Sequence, residues 1–356
     1  MTHFSNRRDF LRTSLLSGLA AAGTGGFARL VRAADQPAAP KPTSRVALFH
    51  GDDRVDIAFR ALKVHEQAVR RAIGDRRVIV KPNNVAIDTQ LCATHAGCLE
   101  GILEFLKSIG KLENAVIAES AGTGPTFDGF ENYHYTDLAR KYSVKLIDLD
   151  HQEVERVHVF DAKDFRPHPV RMSKLLLDPN HFIISAAKLK THDQVVATLS
   201  LKNIIVGAPV KDPGFRFGHG AKPGAKSDKP IVHGNSIHAI NYNLFDLSRR
   251  LHPHLAVIDG YDGMEGNGPV GGTLVEHRVC VVSPDWLAAD RVAVELMGID
   301  YAKVGYLNYC AQAGLGESDL QKIEIVGVPI AQHVRRYRLA DNIDQQLVWM
   351  KPPQVM

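Results

Sequence analysis

Residues 181–209, HFIISAAKLKTHDQVVATLSLKNIIVGAP, decide the fold. The run from His181 to Ala187 is apolar and has the length of a strand buried on both faces. Lys188, Lys190, Thr191 and His192 follow at once, so charge begins where burial is expected to stop. From Val195 to Val206 apolar residues return at near-helical spacing, interrupted by Ser200, Lys202 and Asn203, until Gly207 and Pro209 end the pattern. The prediction is strand, polar turn, helix. Ligands in α/β sheets sit outside the carboxyl ends of the strands, which makes Lys188, Lys190, His192, Lys202 and Asn203 the first candidate site residues. A solvated turn is the plainer reading of the same lysines.

The flanking sequence repeats this alternation. Strands are expected at Arg45–Gly51, Val78–Val80, Ala115–Ala118 and Lys145–Leu149, with helices at Asp56–Ile73, Cys98–Ile109 and Tyr135–Tyr142 between them. This order predicts an α/β fold with a mostly parallel sheet and helices on both faces. Between Val154 and Leu177 two strand-like runs follow each other with no helix, which predicts an antiparallel hairpin or an insertion at the sheet edge. Lys211–Pro230 reads as a long loop, either a lid carrying Arg216, His219 and Lys222 or a flexible insertion. A helix at Ser236–Leu251, strands at Leu255–Ile258 and Val279–Val282, helices at Trp286–Met297 and Val304–Ala313 and a strand at Ile323–Val326 complete the expected order.

The 356 residues, 45% hydrophobic, are ample for a core. They divide into a signal over 1–33, a proline- and alanine-rich linker over 34–44, a single α/β domain over 45–330 with room for two lobes, and a tail over 331–356. Arg7 and Arg8 with Phe10 and Leu11, the weakly apolar stretch Ser14–Gly26 and small Ala33 resemble a twin-arginine export signal cleaved after Ala33. That resemblance implies passage through the twin-arginine translocation machinery and a periplasmic or otherwise exported protein with no stable membrane span. The net charge of +4 comes largely from this segment; without it, 38 basic residues face 38 acidic ones. Such balance gives no field for nucleic acid. Cys92, Cys98, Cys280 and Cys310 lack the spacing of an iron–sulfur ligand set, and Cys92 with Cys98 reads either as one disulfide or as two buried thiols.

The expected strands end in polar residues of unlike kinds: Lys81 and Asn83, Glu119, Lys190 and His192, Asp259, and Asp285. Each end also carries the glycine or proline that lets a backbone approach a ligand, which predicts one shared pocket. Asp259–Gly268 reads as a glycine-rich loop whose carboxylates suit a hard divalent cation such as Mg²⁺ or Ca²⁺; Glu119, Asp259, Glu265 and Asp285 are the candidate metal ligands. A tight glycine turn with solvated acids is the alternative. The chain has no P-loop, no H-E-x-x-H, no G-x-S-x-G and no G-x-G-x-x-G after an early strand.

Lys81-Pro82-Asn83, KLKTH at 188–192, SLKNIIVG at 200–207, DGYDGMEGNGP at 259–269 and SPDWLAADRVAVELMG at 283–298 together resemble the domain-of-unknown-function 362 family from about Arg45 to Gly327. The resemblance implies no reaction. Some members carry ferredoxin-like cysteine motifs, which this chain lacks. From the residues we expect a small anionic or carbonyl ligand, an enzyme acting on it, and a non-catalytic periplasmic ligand-binding or redox-partner protein as the alternative. His192, Lys190 and Asp259 are the candidate catalytic groups, with Lys81, Asn83, Lys188, Lys202, Asn203, Gly266 and Asn267 holding substrate.

Overall fold

The computed structural model describes residues 43–351 apart from His219. The segment over 1–33 read as an export signal, the expected linker up to residue 42 and the lid candidate His219 therefore lie outside the described residues. Strand β1 spans Ser44–His50, followed by α1 (Arg54–Lys63), α2 (Glu66–Ile73), β2 (Arg77–Pro82), α3 (Ala96–Ser108), β3 (Ala115–Glu119), α4 (Thr126–Asn132), α5 (Tyr135–Tyr142) and β4 (Lys145–Asp148). Next come β5 (Val154–Asp161), β6 (Arg166–Ser173), the single turn α6 (Lys174–Leu177), β7 (His181–His192), β8 (Val196–Thr198), α7 (Ser200–Gly207) and α8 (Ile237–Ser248). The chain continues through β9 (Leu255–Asn267), β10 (Gly271–Ser283), α9 (Trp286–Leu296), α10 (Gly305–Gln312), β11 (Ile323–Gly327) and α11 (Ile343–Gln346).

The main sheet has the order β11-β1-β10-β9-β7-β2-β3-β4, with β8 paired to the end of β7. Its run from β9 through β7, β2 and β3 to β4 is parallel, β10 is antiparallel to both neighbours, and β5 and β6 form a separate antiparallel pair as expected for Val154–Leu177. Strand β7 lies at the centre because it is apolar on both faces. Ile183, Ala187 and Leu189 pack with α7, α8 and α9. Phe182, Ile184 and Ala186 face the layer of α1, α3 and α5.

Two expectations are corrected here. The polar cluster after Ala187 is not a turn: β7 runs on to His192, and Lys188, Lys190 and His192 are all buried in it. Pairing with β8 satisfies that stretch of backbone, so the Val195–Val206 run divides into a short strand and the eight-residue α7. Likewise Asp259–Gly268 is not a loop, because β9 continues to Asn267 in a long hairpin with β10. Since β10 runs antiparallel, Ser283 pairs with Ala256 at the amino end of β9, and Asp285 lies beyond it at the opposite end of the sheet from the other candidates. Within the tail over 331–356, Tyr337, Ala340 and Gln346 are buried in the fold.

The residue that aims α7 comes from another helix. Asp290, fully buried in α9, accepts hydrogen bonds from Ser200 N at 2.8 Å, Ser200 Oγ at 2.6 Å and Leu201 N at 3.1 Å, satisfying the first amides of α7 in place of a local cap. Asp290→Ala is expected to lower unfolding stability in urea by about 3 kcal/mol, and Asp290→Asn by less. An unchanged midpoint for the alanine variant would mean that apolar packing alone holds α7.

Candidate functional site

Strand β2 ends at Lys81-Pro82, and the proline cannot extend the ladder. Lys81 turns under α7, where its Nζ donates to Glu119 Oε2 at 2.9 Å, Pro82 O at 2.9 Å and Asn203 Oδ1 at 3.1 Å. A side chain at residue 207 would put a Cβ 2.0 Å from Lys81 Cε, so the glycine is what lets the ammonium pass. Glu119 also accepts from Ser120 N at 2.8 Å and Asn84 N at 3.1 Å. Burial pulls Lys81 below its ordinary value and pushes Glu119 above its own, while the opposite charge of each partner counters both effects. Asn203 is held on both ends: its Oδ1 also accepts from Asn83 Nδ2 at 3.0 Å, and its Nδ2 donates to Ser185 Oγ at 3.0 Å.

Beside this pair stand lysines without one. Lys202 Nζ lies 3.0 Å from His192 Nε2, and among the described residues no carboxylate reaches it within ion-pair distance. Burial, reinforced by the charge of Lys190, holds Lys202 down to about 7. Burial and then the Lys202 charge hold His192 well below the usual imidazole range and His233 at about 4. Lys229 donates to the carbonyls of Val206, Gly207 and Pro209 at 3.4, 3.2 and 2.8 Å, where α7 ends, and burial holds it too at about 7. Lys190 donates to Cys92 O at 2.7 Å and Pro269 O at 3.3 Å, with burial lowering it to about 8.

Lys81, Lys202 and Lys229 line one cavity of about 210 Å³, together with Asn83, Asn84, Glu119, His192, Thr198, Asn203 and His233. Phe215, Phe217 and Pro230 of the long loop wall it on one side. The loop is tied across the site by Phe217 N to Thr123 O at 2.8 Å and by Arg216 to Asp128 at 2.8 Å, so Arg216 closes a surface ion pair and Lys222 is exposed. Several buried polar atoms of the cavity wall have no partner among the described residues: Asn83 Oδ1, both amide atoms of Asn84, Thr198 Oγ1 and His233 Nε2. Each such atom left unpaired costs about 1–3 kcal/mol, which a polar ligand or water in the cavity offsets.

The sheet separates the remaining candidates from this cavity. Asp259 and Lys188 point to the α1 and α3 face, where Asp259 lies 3.8 Å from Lys188 Nζ and 3.4 Å from Arg54 Nε and accepts from His95 N and Tyr261 N, each at 3.2 Å. Burial pushes the Asp259 carboxyl up, but Lys188, Arg54 and the two amides outweigh it and hold the group below its ordinary value. Asp259 is thus the centre of an ion-pair network rather than a partner of His192. Glu265 accepts from Arg338 N at 2.9 Å, Gly266 N donates to Arg338 O at 2.7 Å, and Asn267 bonds Asp341, so these three bind the C-terminal segment. Asp285 caps α9 through Leu287 N and Ala288 N. Glu119, Asp259, Glu265 and Asp285 therefore do not form one ligand set. Among the described residues the acidic and histidine ligand atoms that converge within 4.8 Å are those of Asp161, Asp164 and His168 on the β5–β6 hairpin. Cys92 and Cys98 are separate buried thiols.

Lys229 and Thr198 escaped the sequence reading. Lys229 shares its stretch with exposed Lys222 and Lys226 and buried Lys211, and nothing in its local pattern marks it as buried.

A family model described as a domain of unknown function, DUF362, matches residues 78–295. The thylakoid-associated protein sll1697 of Synechocystis sp. is 24% identical over 245 residues, 68% of either chain. A crystal structure of a Thermotoga maritima protein superposes with a TM-score of 0.38 at 13% identity; the alignment covers 70% of this chain and 60% of that one, less than two thirds of its length.

The Lys81–Glu119 pair makes a direct stability prediction. Lys81→Met strands a buried carboxylate and is expected to cost about 3–5 kcal/mol, whereas the double variant Lys81→Met, Glu119→Leu should recover most of that loss. Urea denaturation of the two variants measures the difference; equal destabilisation by both would show that the pair does not act as a unit.

Proposed function

The chain belongs to the domain-of-unknown-function 362 family, a description that specifies no reaction, and from the cavity we propose an enzyme that binds a small anionic or carbonyl substrate between β2, β3, β7 and α7. The observation that carries this reading is the composition of the cavity wall. Lys202 and Lys229 lack carboxylate partners among the described residues, Glu119 is already neutralised by Lys81, and the unpaired atoms of Asn83, Asn84, Thr198 and His233 supply further donors and acceptors. The uncompensated charge is positive. At about 210 Å³ the cavity is below the ~300 Å³ where drug-sized pockets begin, which suits a small ligand. A divalent cation at Glu119 would have to displace the Lys81 ammonium, so the reading gives the cavity an anion. Lys202 and His192 share one hydrogen bond between two bases of depressed basicity, and this favours proton transfer over simple binding.

The pH dependence follows from those lysines. Their folded-state values lie below the unfolded one near 10.4, so the apo protein carries their full desolvation penalty below pH 7, relieved as pH rises towards 10. An anion binds the protonated forms. Stabilisation by oxalate or orthophosphate should therefore be largest near pH 6, roughly 4 °C in Tm at a hundredfold excess over Kd, and should decline as pH passes 7 to 8, where Lys202, Lys229 and Lys190 lose their protons. Thermal melts at pH 6 and pH 8.5 test this; no shift with any small anion at pH 6 would sink the anion site.

The twin-arginine reading of residues 1–33 belongs to the same proposal: natively exported protein should begin at Ala34 on N-terminal sequencing, and a mature chain that retains Arg7 and Arg8 would overturn it.

A further inference from the structure

Resting on the anion-site reading, we propose that Lys202 is a covalent nucleophile that forms an imine with a small oxo acid, a molecule carrying a carbonyl and an anionic group within a few atoms of each other. Six lysines are buried among the described residues, and their partners separate them. Lys81 and Lys211 are bound to Glu119 and Asp150, and Lys188 faces Asp259 across the sheet. Lys190 and Lys229 donate to main-chain carbonyls. Among the described residues Lys202 alone of the six has a ring nitrogen as its hydrogen-bond partner, His192 Nε2 at 3.0 Å, and both residues line the cavity. A lysine engaged by a carboxylate is held as an ammonium and has no free lone pair. One placed against an imidazole in an apolar wall can give up its proton.

The step balances without a further reagent. The neutral Nζ of Lys202 attacks the carbonyl carbon, forming a C–N bond while the C=O π pair moves to oxygen. Gln194 N donates to His192 Nδ1 at 3.0 Å, which leaves the ring proton on Nε2; His192 gives that proton to the oxygen and regains one at Nε2 from the nitrogen, giving the carbinolamine. A second proton and loss of water leave the protonated imine, so that amine, carbonyl and proton become iminium and water. Lys229 and the unpartnered Asn84 Nδ2 remain to hold the anionic end. Burial supports the same assignment, since an amine titrating near 7 is mostly neutral at pH 7.5.

The test uses the full chain with sodium pyruvate and cyanoborohydride at pH 7.5, followed by peptide mass spectrometry. We expect one carboxyethyl adduct, on Lys202, formed several hundredfold faster than on exposed lysines of ordinary basicity, the ratio of neutral amine at pH 7.5 for values of about 7 and about 10.4. Lactate, which has the anionic group but no ketone, should compete with the labelling, and this readout needs no variant to fold. His192→Asn should slow adduct formation while keeping the thermal shift produced by lactate. If pyruvate and lactate both raise Tm but Lys202 stays unmodified, the covalent step is overturned and the anion site stands. If neither raises Tm and labelling falls evenly on surface lysines, both fail.

Discussion

The Lys81–Glu119 ion pair is the interaction on which the rest of this site depends. It lies at the carboxyl ends of two adjacent parallel strands, and through Asn203 it reaches α7, so one ammonium group sets the spacing of three elements. A pair this deeply buried gains little net stability from its own attraction, because both charges have left water. What it imposes is position. Lys81 requires Gly207 at the end of α7 and Asn203 one turn earlier, and once these are placed Lys202 and the α7 carbonyls that hold Lys229 have fixed locations.

Asp290 supplies the complementary constraint at the other end of α7. Its carboxylate satisfies the first amides of the helix, and Lys229 satisfies its last carbonyls. A helix of eight residues has little stability by itself. Held at both ends by charged groups from elsewhere in the chain, it becomes a rigid wall that carries Lys202 and Asn203 into the cavity. The long loop walls the opposite side with Phe215 and the exposed Phe217, and burial of Lys202 and His192 is the main physical cause of their depressed basicities.

The sheet also explains why residues that look equivalent along the chain have different roles. Lys188 and Lys81 both follow apolar strands, yet the side chains point to opposite faces. Lys188 joins Asp259 and Arg54 in a network between the sheet and α1, while Lys81 joins the cavity. The two carboxylates Glu119 and Asp259 are separated in the same way.

Strand and helix alternation, the parallel core and the separate 154–177 hairpin were legible from local periodicity, because burial on one or both faces leaves a repeat of two or of 3.6 in the residues. The same reasoning named Lys81, Asn83, Glu119, His192, Lys202 and Asn203, which line one cavity: the first four because apolar runs end in polar residues, and Lys202 and Asn203 because they interrupt one. It placed Asp259, Glu265 and Asp285 with them because a sequence does not record strand direction or which face a strand end presents. Only the tertiary structure decided that β10 runs antiparallel and carries Asp285 to the far end, that Thr198 and Lys229 fold back into the cavity, and that Lys202 has no carboxylate partner among the described residues. Those outcomes rest on pairings between residues far apart in the chain, whereas periodicity reports only on near neighbours.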